Sequence, residues 1–493
     1  MPEHLRALVV LLVLAGATFT LARPLACAAA MSDADFVRRR NVWFGVTLAA
    51  FLAHGFWLFI AFSAALLLLS VWGERNTLAL YYFVLFAAPA ISAPIPGFGM
   101  MEHFFAIEYL RLLALVILLP ACLSLLGRPQ AEPFGRPLAD KVLVAYLVLQ
   151  FLVQLPHTTF TETLRVRAFY AFTDVLLPYY VASRWPRDLA AFREALMAFV
   201  ASALVLAAVA VFEFGKRWLL YTPLEDALGV SWGLLNYLER GESLLRAQAS
   251  TGHPIILGYV LAVAGGFLLY LWRLLPGAAR ACAAALLAAG LVAAMSRGPW
   301  VGAAVIVLAF VATGEHAAER LAKLGFAALC LLPFLMVSPA GKVVLDYLPF
   351  VGTVEAENVL YRERLFQVSL QVVLDHPFFG AFDFMQLPVM QQLIQGEGII
   401  DIVNSYLQVA LASGFVGLGL FCGFFVAVAL SVFKAMLAAG ERGGERYVLG
   451  QALLATLLGI LVIIGTTSSM DLIPLIYWSV AGLGIAYARL ARR

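Results

Sequence analysis

The chain has 493 residues, of which 63% are hydrophobic and only 13% are charged, with a formal net charge of +3. Soluble domains are about 25% charged and about 45–50% apolar, so this composition excludes an ordinary soluble protein. Apolar runs of about 18–20 residues recur along the whole length, as in transmembrane helices, and they are too long for barrel strands. The sequence predicts one all-α, polytopic integral membrane domain over residues 1–493.

Candidate membrane helices follow one another along the chain, and about 12–15 of them are predicted. The first 75 residues cause most of that range, because 42–73 can form one long helix or two short ones. The segment 5–26 is interpreted as a first membrane helix rather than a secretory signal. The candidate spans are 5–26, 42–73, 77–92, 103–126, 141–155, 166–183, 190–214, 254–272, 277–294, 299–313, 319–337, 404–433, 447–467 and 472–490.

Short basic segments indicate which face is cytoplasmic. The tail "ARLARR" and the loop 434–446 are basic and are separated by two spans, so both can lie inside. Three segments then share the external face: the loop at about 215–253, the turn that holds Arg297, and the stretch 338–403. Lys216 and Arg217 fall on that external face, against the rule.

Arg297 is the only charged residue between Ala281 and Thr313. Gly298 and Pro299 follow it, which predicts a tight turn that fixes the direction of its side chain. The structural alternative is an arginine at a helix end that extends its charge to the membrane surface.

The stretch 338–403 is predicted to be a long, partly helical external loop, and loops of this length are usually functional. Apolar spacing from Glu363 to Leu374 predicts an amphipathic helix, which "DHPFFG" (375–380) ends. Arg362, Glu363 and Arg364 lie in its first turn. The alternative is a helix lying on the membrane with these three residues as its solvated end.

The other external loop contains "YLERGESLLRAQASTGHPIILGY" (237–259). Arg246 lies shortly before the next span, and His253-Pro254 opens that span. Arg246 can also be an ordinary loop charge, and His253 can also be a helix-start residue with a satisfied ring.

Arginines from three external segments suit one kind of ligand. A guanidinium is a planar, permanently charged donor that matches phosphate oxygens. Several of them at a membrane surface would bind a lipid-linked diphosphate and stabilise it as a leaving group. The sequence has no paired external aspartates, no cysteine–histidine cluster and no GxxxxGK[ST] motif. We therefore expect a metal-independent enzyme without a cofactor that uses a preactivated donor.

Four stretches of the C-terminal half resemble the O-antigen ligase and O-antigen polymerase superfamily of bacterial envelope membrane proteins. Together they cover about 170 residues in the family's order. In the last stretch, Asn404, Gly414 and Gly417 fit the family's His-Asn and Gly-x-x-Gly spacing. The stretches are "RAQASTGHPIILGYVLA" (246–262), "SRGPWVG" (296–302), "RLFQVSLQVVLDHPFFGAF" (364–382) and "VNSYLQVALASGFVGL" (403–418).

The resemblance implies a GT-C-like membrane glycosyltransferase in the bacterial inner membrane, with its active site facing the periplasm. Such proteins take glycan from an undecaprenyl-diphosphate-linked donor. Ligases transfer it to lipid A-core and polymerases to another lipid-linked glycan, so membrane lipid is an expected partner and nucleic acid is not. The family's essential arginines map onto Arg246, Arg297, and Arg364 or Arg362.

One position departs from the family pattern, because ligases have histidine where this chain has Val403. Valine cannot accept a proton, so Asp401, Glu363 or His376 is expected to act as base or to orient the acceptor. The departure favours a polymerase of O-antigen or exopolysaccharide repeats over a ligase acting on lipid A-core or protein. The predicted catalytic residues are Arg246, Arg297, Arg364 and Asp401, and the predicted substrate-binding residues are Arg362, Glu363, His253, His376 and Asn404.

A transporter or flippase for lipid-linked sugars is the alternative from another class. That function predicts charged or broken helices at mid-membrane, often in two related halves. Few charges lie within the spans; Asp174 and Glu213 are exceptions, and Glu108 with Arg111 can form an i,i+3 pair within one helix.

Overall fold

The computed structural model describes residues 1–97, 99, 103–128, 132–230, 239–240, 244–337, 356–394 and 398–492. Helix accounts for 74% of the chain, so the all-α prediction is confirmed. The N-terminal half contains α1 (Glu3–Ala28), α2 (Asp33–Leu52), α3 (Phe56–Val71), α4 (Thr77–Val84), β1 (Ser92–Pro96), β2 (His103–Glu108), α5 (Tyr109–Leu126), α6 (Leu138–Gln154), α7 (160–184), α8 (Leu189–Lys216) and α9 (Leu224–Leu228).

The C-terminal half begins with the short strands β3 (Glu239–Arg240) and β4 (Leu244–Leu245). Its helices are α10 (Pro254–Leu271), α11 (Gly277–Ala293), α12 (Arg297–Ala312), α13 (Ala317–Val337), α14 (Ala356–Asp375), α15 (Pro388–Gln391), α16 (Ser405–Ala438), α17 (Glu445–Ile464) and α18 (Leu472–Leu490).

Seven helices of the described chain are long and apolar enough to cross a membrane: α1, α5, α8, α10, α16, α17 and α18. The shorter helices α3, α11 and α12 are also apolar. These observations confirm a polytopic membrane protein. The helices α8, α10, α17 and α18 are the most buried and form the centre of the bundle.

Small residues bring α12 and α17 into close contact. A β-carbon at Gly302 would lie 3.1 Å from the carbonyl oxygen of Gly459, and one at Gly459 would lie 2.8 Å from the carbonyl oxygen of Gly302. Close backbone approach at small residues is the usual way in which helices associate in lipid, where apolar side chains gain little from leaving the solvent. This contact holds the start of α12, and therefore Arg297, against the end of α17.

The helices end at two faces of the bundle, and polar contacts between helix ends identify each face. At one face, Arg246 donates to Ser296, and Ser468 donates to Asp401; we call this the site face. At the other face, Tyr270 donates to Glu445 and Arg273 donates to the carbonyl of Gly443; we call this the opposite face. Consecutive long helices therefore run in alternating directions between the two faces.

The predicted span 77–92 is wrong at its C-terminal end, and the predicted span 103–126 is wrong at its N-terminal end. Helix α4 ends at Val84, and the strands β1 and β2 form an antiparallel hairpin with Ser92 opposite Glu108. The reason is local, because Pro89, Pro94 and Pro96 cannot continue a helix. The segment 42–73, for which one or two helices were possible, is interrupted between Leu52 and Phe56.

Helix α14 is longer than the predicted segment 363–374, and it ends at Asp375, before the predicted break. One side of the described part packs into a small apolar cluster with the start of α16. The other side exposes Phe366, Leu370 and Leu374. Residues 338–355 and 395–397 of the predicted loop lie outside the described residues. The buried members of the cluster are Leu365, Val372, Val373, Ala381, Phe384, Met390, Leu393, Ile402, Ala410 and Leu411.

Helix α16 is broken at Gly414, and the turn that follows α14 fills the break. The amide of Phe415 donates to the carbonyl of Pro377 at 2.7 Å, and the amide of Ala381 donates to the carbonyl of Leu411 at 2.8 Å. Interrupted helices occur at membrane depth only where protein groups satisfy the freed backbone. The 377–381 turn and α16 therefore form one interlocked unit.

Candidate functional site

Arg246 and Arg297 come from different segments and are brought together at Ser296. The guanidinium of Arg246 donates to Ser296 Oγ at 2.9 Å, and the neighbouring amide of Ala247 donates to the carbonyl of Ala293 at 3.1 Å. Arg297 is the first residue of α12. Met295 has a left-handed φ of +46°, which makes the turn between α11 and α12 tight. The two predicted arginines therefore lie at one turn of the site face.

A buried carboxylate holds the backbone that follows Arg246. Glu213 lies in the last turn of α8, and its two oxygens accept from the amides of Leu220 at 3.0 Å, Gln248 at 2.9 Å and Ala249 at 2.8 Å. Ser250 extends this anchor by donating to the carbonyl of Phe86 at 2.8 Å. Glu213 thus has a positioning role.

We expect Glu213→Gln to lower both stability and activity. In the wild type, the backbone amides donate to the two oxygens of the Glu213 carboxylate. In the variant, the NH₂ group of glutamine would face at least one of these amides. That buried amide would lose its acceptor, at a cost of about 1–3 kcal/mol. The melting temperature of the purified protein measures this. Asp226→Asn is the control, because Asp226 is an exposed acid on the same face. Equal melting temperatures for the two variants would contradict the positioning role.

His253 is placed next to Arg246 but acts locally. Its Nδ1 accepts from the amide of Ile255 at 3.1 Å, which caps α10. Burial and then the charge of Arg246 lower the pKa of His253 to about 4. The ring is therefore neutral at pH 7, with its proton on Nε2. That nitrogen can donate a hydrogen bond to a ligand held by Arg246.

Residues 465–471, which we call the serine turn, join the arginine pair to the start of α16. A β-carbon at Gly298 would overlap Thr466 Oγ1, so the turn packs directly behind Arg297. Ser405 Oγ donates to the carbonyl of Thr467 at 2.8 Å, and Ser469 Oγ donates to Ser405 Oγ at 2.8 Å. The serine turn therefore fixes the start of α16 relative to the start of α12.

Asp401 is held by both the serine turn and α14. Ser468 Oγ donates to Asp401 Oδ1 at 3.1 Å, while the Tyr361 hydroxyl contacts both the amide and the carbonyl of Asp401 at 3.1 Å. Burial raises the pKa of the Asp401 carboxyl, against the smaller opposing effects of Ser468 and Arg362. A carboxylate with a raised pKa is a better proton acceptor than an exposed one.

The remaining predicted residues divide into near and distant groups. Arg362 lies close enough to affect Asp401 electrostatically. Arg362, Glu363 and Arg364 are all exposed on α14. Asn404 caps α16 by accepting from the amides of Tyr406 and Leu407 at 2.9 and 3.1 Å.

His376 is exposed and follows the far end of α14. Twelve residues separate it from Arg364, which corresponds to about 18 Å along a helix. The structure thus brings Arg246, Arg297, His253, Arg362, Asp401 and Asn404 into one linked region, and it leaves His376 outside.

A second charged cluster adjoins the serine turn. Arg111 pairs with Asp174 at 3.0 Å and with Glu108 at 3.6 Å, and it also acts electrostatically on Asp471. Burial raises the pKa of Glu108 to about 8, so this carboxyl is mostly protonated at pH 7. Glu108 and Arg111 do form the predicted i,i+3 pair, although Glu108 ends β2 rather than lying in a helix.

The arrangement combines guanidinium donors with a half-buried carboxylate at the site face. Among the described residues, no group of three or more histidine, cysteine, aspartate or glutamate side chains could hold a metal ion. Residues 282–422 match the sequence model of the O-antigen ligase family. No curated protein matches the chain.

The O-antigen ligase match begins in α11 and ends within α16, so it contains Arg297, Arg362, Arg364, Asp401 and Asn404. Three of the four stretches that resemble the family lie inside it, while Arg246 and His253 precede it. The match confirms the resemblance to the O-antigen ligase and polymerase family. It supports glycosyl transfer of this general type, with lipid-linked glycans as substrates.

Sequence reasoning missed three parts of this candidate site. Glu213 was noted only as a charge within a span, and neither Tyr361 nor the serine turn was considered. The serine turn did carry a signal, because "TTSSMD" (466–471) is a polar run between two apolar spans. The roles of Glu213 and Tyr361 depend on contacts with distant backbone groups, which leave no local pattern.

Proposed function

We propose that this protein transfers glycan from an undecaprenyl-diphosphate-linked donor, and that it polymerises the repeat units of a surface polysaccharide. The observation that carries the proposal is the hydrogen bond from Arg246 to Ser296, the residue before Arg297, with Asp401 tied to the same region by Ser468. Guanidinium groups bind diphosphate oxygens in a planar, bidentate manner. The family match supports glycosyl transfer in general.

In the proposed reaction, Arg246, Arg297 and Arg362 bind the diphosphate of the donor. The acceptor hydroxyl oxygen attacks the anomeric carbon, and the bond between that carbon and the diphosphate oxygen breaks. The hydroxyl proton passes to the Asp401 carboxylate, and the diphosphate leaves on its polyprenyl chain. The arginines stabilise the negative charge that develops on the leaving group, a role that we assign to them rather than to a metal.

The environment of Val403 supports polymerisation over ligation. Val403 lies where family ligases have histidine, and its side chain packs against the apolar cluster formed by α14 and α16. Where family ligases have a histidine, this chain therefore has a hydrophobic contact at position 403. Asp401, two residues earlier, offers a carboxylate instead. Ligase-type transfer to lipid A-core or to protein remains the second candidate, because the matching family is described as O-antigen ligase.

Purified protein incubated with undecaprenyl-diphosphate oligosaccharide tests the proposal. Lengthened lipid-linked glycan is the expected product. Product that forms only after lipid A-core is added would assign the ligase reaction instead. Movement of the donor across vesicles without any transfer would assign transport and end the enzymatic proposal.

The contacts of Asp174 and Glu213 do not favour transport. These two carboxylates were the intramembrane charges that a transporter would use. Asp174 pairs with Arg111, and Glu213 accepts from three backbone amides. Both therefore have partners that explain their presence as structural groups.

We propose that the protein lies in a bacterial inner membrane with its site face toward the periplasm. The distribution of basic residues supports this orientation, because cytoplasmic segments are enriched in lysine and arginine. Basic residues at the opposite face include Arg38, Arg39, Arg40, Arg75, Arg128, Arg136, Arg187, Arg273, Arg280, Arg320, Lys323, Arg442, Arg446, Arg489 and Arg492.

If Asp401 is the base, its titration should set the acidic limit of activity. Because burial raises the pKa of Asp401, the rate should fall as the pH drops through a value above that of an ordinary aspartate. The hydrogen bond from Ser468 stabilises the charged form. Ser468→Ala should therefore raise the pKa of Asp401 further and move the acidic limb of the rate profile to higher pH.

Ser469→Ala is the matched control, because Ser469 lies in the same turn and donates to Ser405 rather than to Asp401. Its acidic limb should remain at the wild-type pH. Asp401→Asn should lower the rate by about a hundredfold or more at all pH values. An unshifted profile for Ser468→Ala together with an active Asp401→Asn would remove Asp401 from the mechanism.

A further inference from the structure

A cavity of about 340 Å³ lies at the opposite face, between the ends of α10, α12 and α17. Its polar lining includes Arg273, Arg320 and Arg442, with Glu315 as the acidic member. Arg273 and Arg442 lie in the connections that follow α10 and α16, and Arg320 lies in the first turn of α13. The cavity is distant from the arginines of the site face, because the same helices separate them along their length.

The three arginines that line this cavity differ in their contacts with the rest of the protein. Arg273 donates to the carbonyl of Gly443 at 3.1 Å. The side chains of Arg320 and Arg442 make no hydrogen bond or ion pair with any part of the chain that the structure describes. Glu315 lies against Gly443, where a β-carbon would be 2.7 Å from its Oε1. Three arginines against one glutamate leave the cavity with an excess of positive charge.

Most of the remaining lining is apolar, with Gln451 as a further polar residue. Leu269, Phe310 and Val448 line the cavity, and Trp272 lies beside Arg273. Trp272 is 36% exposed, and Arg280 stacks on its ring with 4.9 Å between the guanidinium carbon and the ring centroid. Tryptophan at a helix end is typical of the headgroup region of a bilayer. The cavity therefore combines a cationic rim with apolar walls that continue into the membrane.

We propose that this cavity binds the headgroup of an anionic phospholipid in the leaflet at the opposite face. The phosphate would lie between Arg320 and Arg442, and an acyl chain would follow the apolar wall. Basic pockets between membrane helices on the cytoplasmic side bind anionic lipid headgroups in this way. The cavity volume is within the range of small-molecule sites. A bound lipid would hold these two connections and the start of α13 together.

Native mass spectrometry of detergent-purified protein titrated with phosphatidylglycerol tests this proposal. The wild type should bind phosphatidylglycerol more tightly than phosphatidylcholine. The double variant Arg320→Gln, Arg442→Gln should weaken phosphatidylglycerol binding by at least about tenfold, since each basic residue near an anionic headgroup contributes roughly a fivefold factor. Neither side chain makes a hydrogen bond or ion pair with the part of the chain that the structure describes, so the variant is expected to fold. Adding Arg273→Gln should weaken binding further.

The double variant Arg136→Gln, Arg446→Gln is the matched control. Both residues are exposed basic residues at the opposite face, outside the cavity lining, so their loss changes the net charge equally and should leave binding within about twofold. Equal loss in both double variants would show a general surface effect and overturn the proposal. Inorganic phosphate that protects the protein from heat as well as phosphatidylglycerol does would reassign the cavity to a soluble anion and also overturn it.

Discussion

Arg297→Ala and Arg246→Ala should each lower glycan transfer by at least about a hundredfold while the protein still inserts and folds. Removing one donor that stabilises charge developing in a transition state costs about 10²–10³ in rate. The Arg246 side chain binds Ser296, the residue that precedes Arg297, so each variant is expected to remove a donor from the same proposed diphosphate site. The rate of chain lengthening on undecaprenyl-diphosphate oligosaccharide, measured with purified protein, gives the effect.

Lysine should restore little of the lost activity at either position. An ammonium keeps the charge but lacks the planar pair of donors that matches two phosphate oxygens. Arg217→Asn is the control, because Arg217 is an exposed arginine on the site face and asparagine tolerates its left-handed φ of +52°. Normal product chains from both alanine variants would remove the diphosphate site from the mechanism. Full rescue by lysine would show that these two positions require only a positive charge and not the planar guanidinium.

The composition and the order of the motifs predicted the class of fold and the segments that form the site. The apolar periodicity found the long helices, and the motifs found Arg246, Arg297 and the loop that contains Asp401. Short-range proline effects explain the main error. The helix of the predicted span 77–92 ends at Val84, and the start of the predicted span 103–126 forms β2, which pairs with the proline-containing strand β1. A hydropathy pattern does not distinguish an apolar strand from the end of an apolar helix.

The contacts that assemble the site were beyond prediction because they join residues far apart in sequence. Glu213 binds the amides of Gln248 and Ala249, and Ser468 binds Asp401 across 67 positions. The choice between Arg362 and Arg364 also required the structure. The Tyr361 hydroxyl contacts the Asp401 backbone, and the neighbouring Arg362 acts electrostatically on the Asp401 carboxyl. Arg362 is exposed, as Arg364 is. The motif spacing indicated both arginines equally.

The interlock between α16 and the 377–381 turn connects the fold to the site, because α14 carries Tyr361 and Arg362 at one end and leads into this turn at the other. Gly414 has φ +63° and ψ −166°, a conformation that only glycine adopts readily. A β-carbon there would lie 2.6 Å from the amide nitrogen of Phe379 and would overlap the carbonyl of Phe378. Gly380 faces it with φ +71°, and a β-carbon at 380 would lie 2.6 Å from the amide nitrogen of Ser413.

Gly414→Ala should therefore destabilise the protein by about 3 kcal/mol or more, because backbone strain adds to an overlap that neither chain can relieve. It should also separate the 377–381 turn from α16, which faster proteolytic cleavage near residue 378 would detect. Activity should fall as well, since α14 loses the contact that fixes its far end.

Gly419→Ala is the matched control on the same helix, where a β-carbon meets nothing within 4 Å. It should leave the melting temperature equal or slightly higher, because alanine is the better helix former. Equal melting temperatures and cleavage rates for the two variants would show that α16 tolerates a side chain at the break, and the interlock would then not be what positions α14.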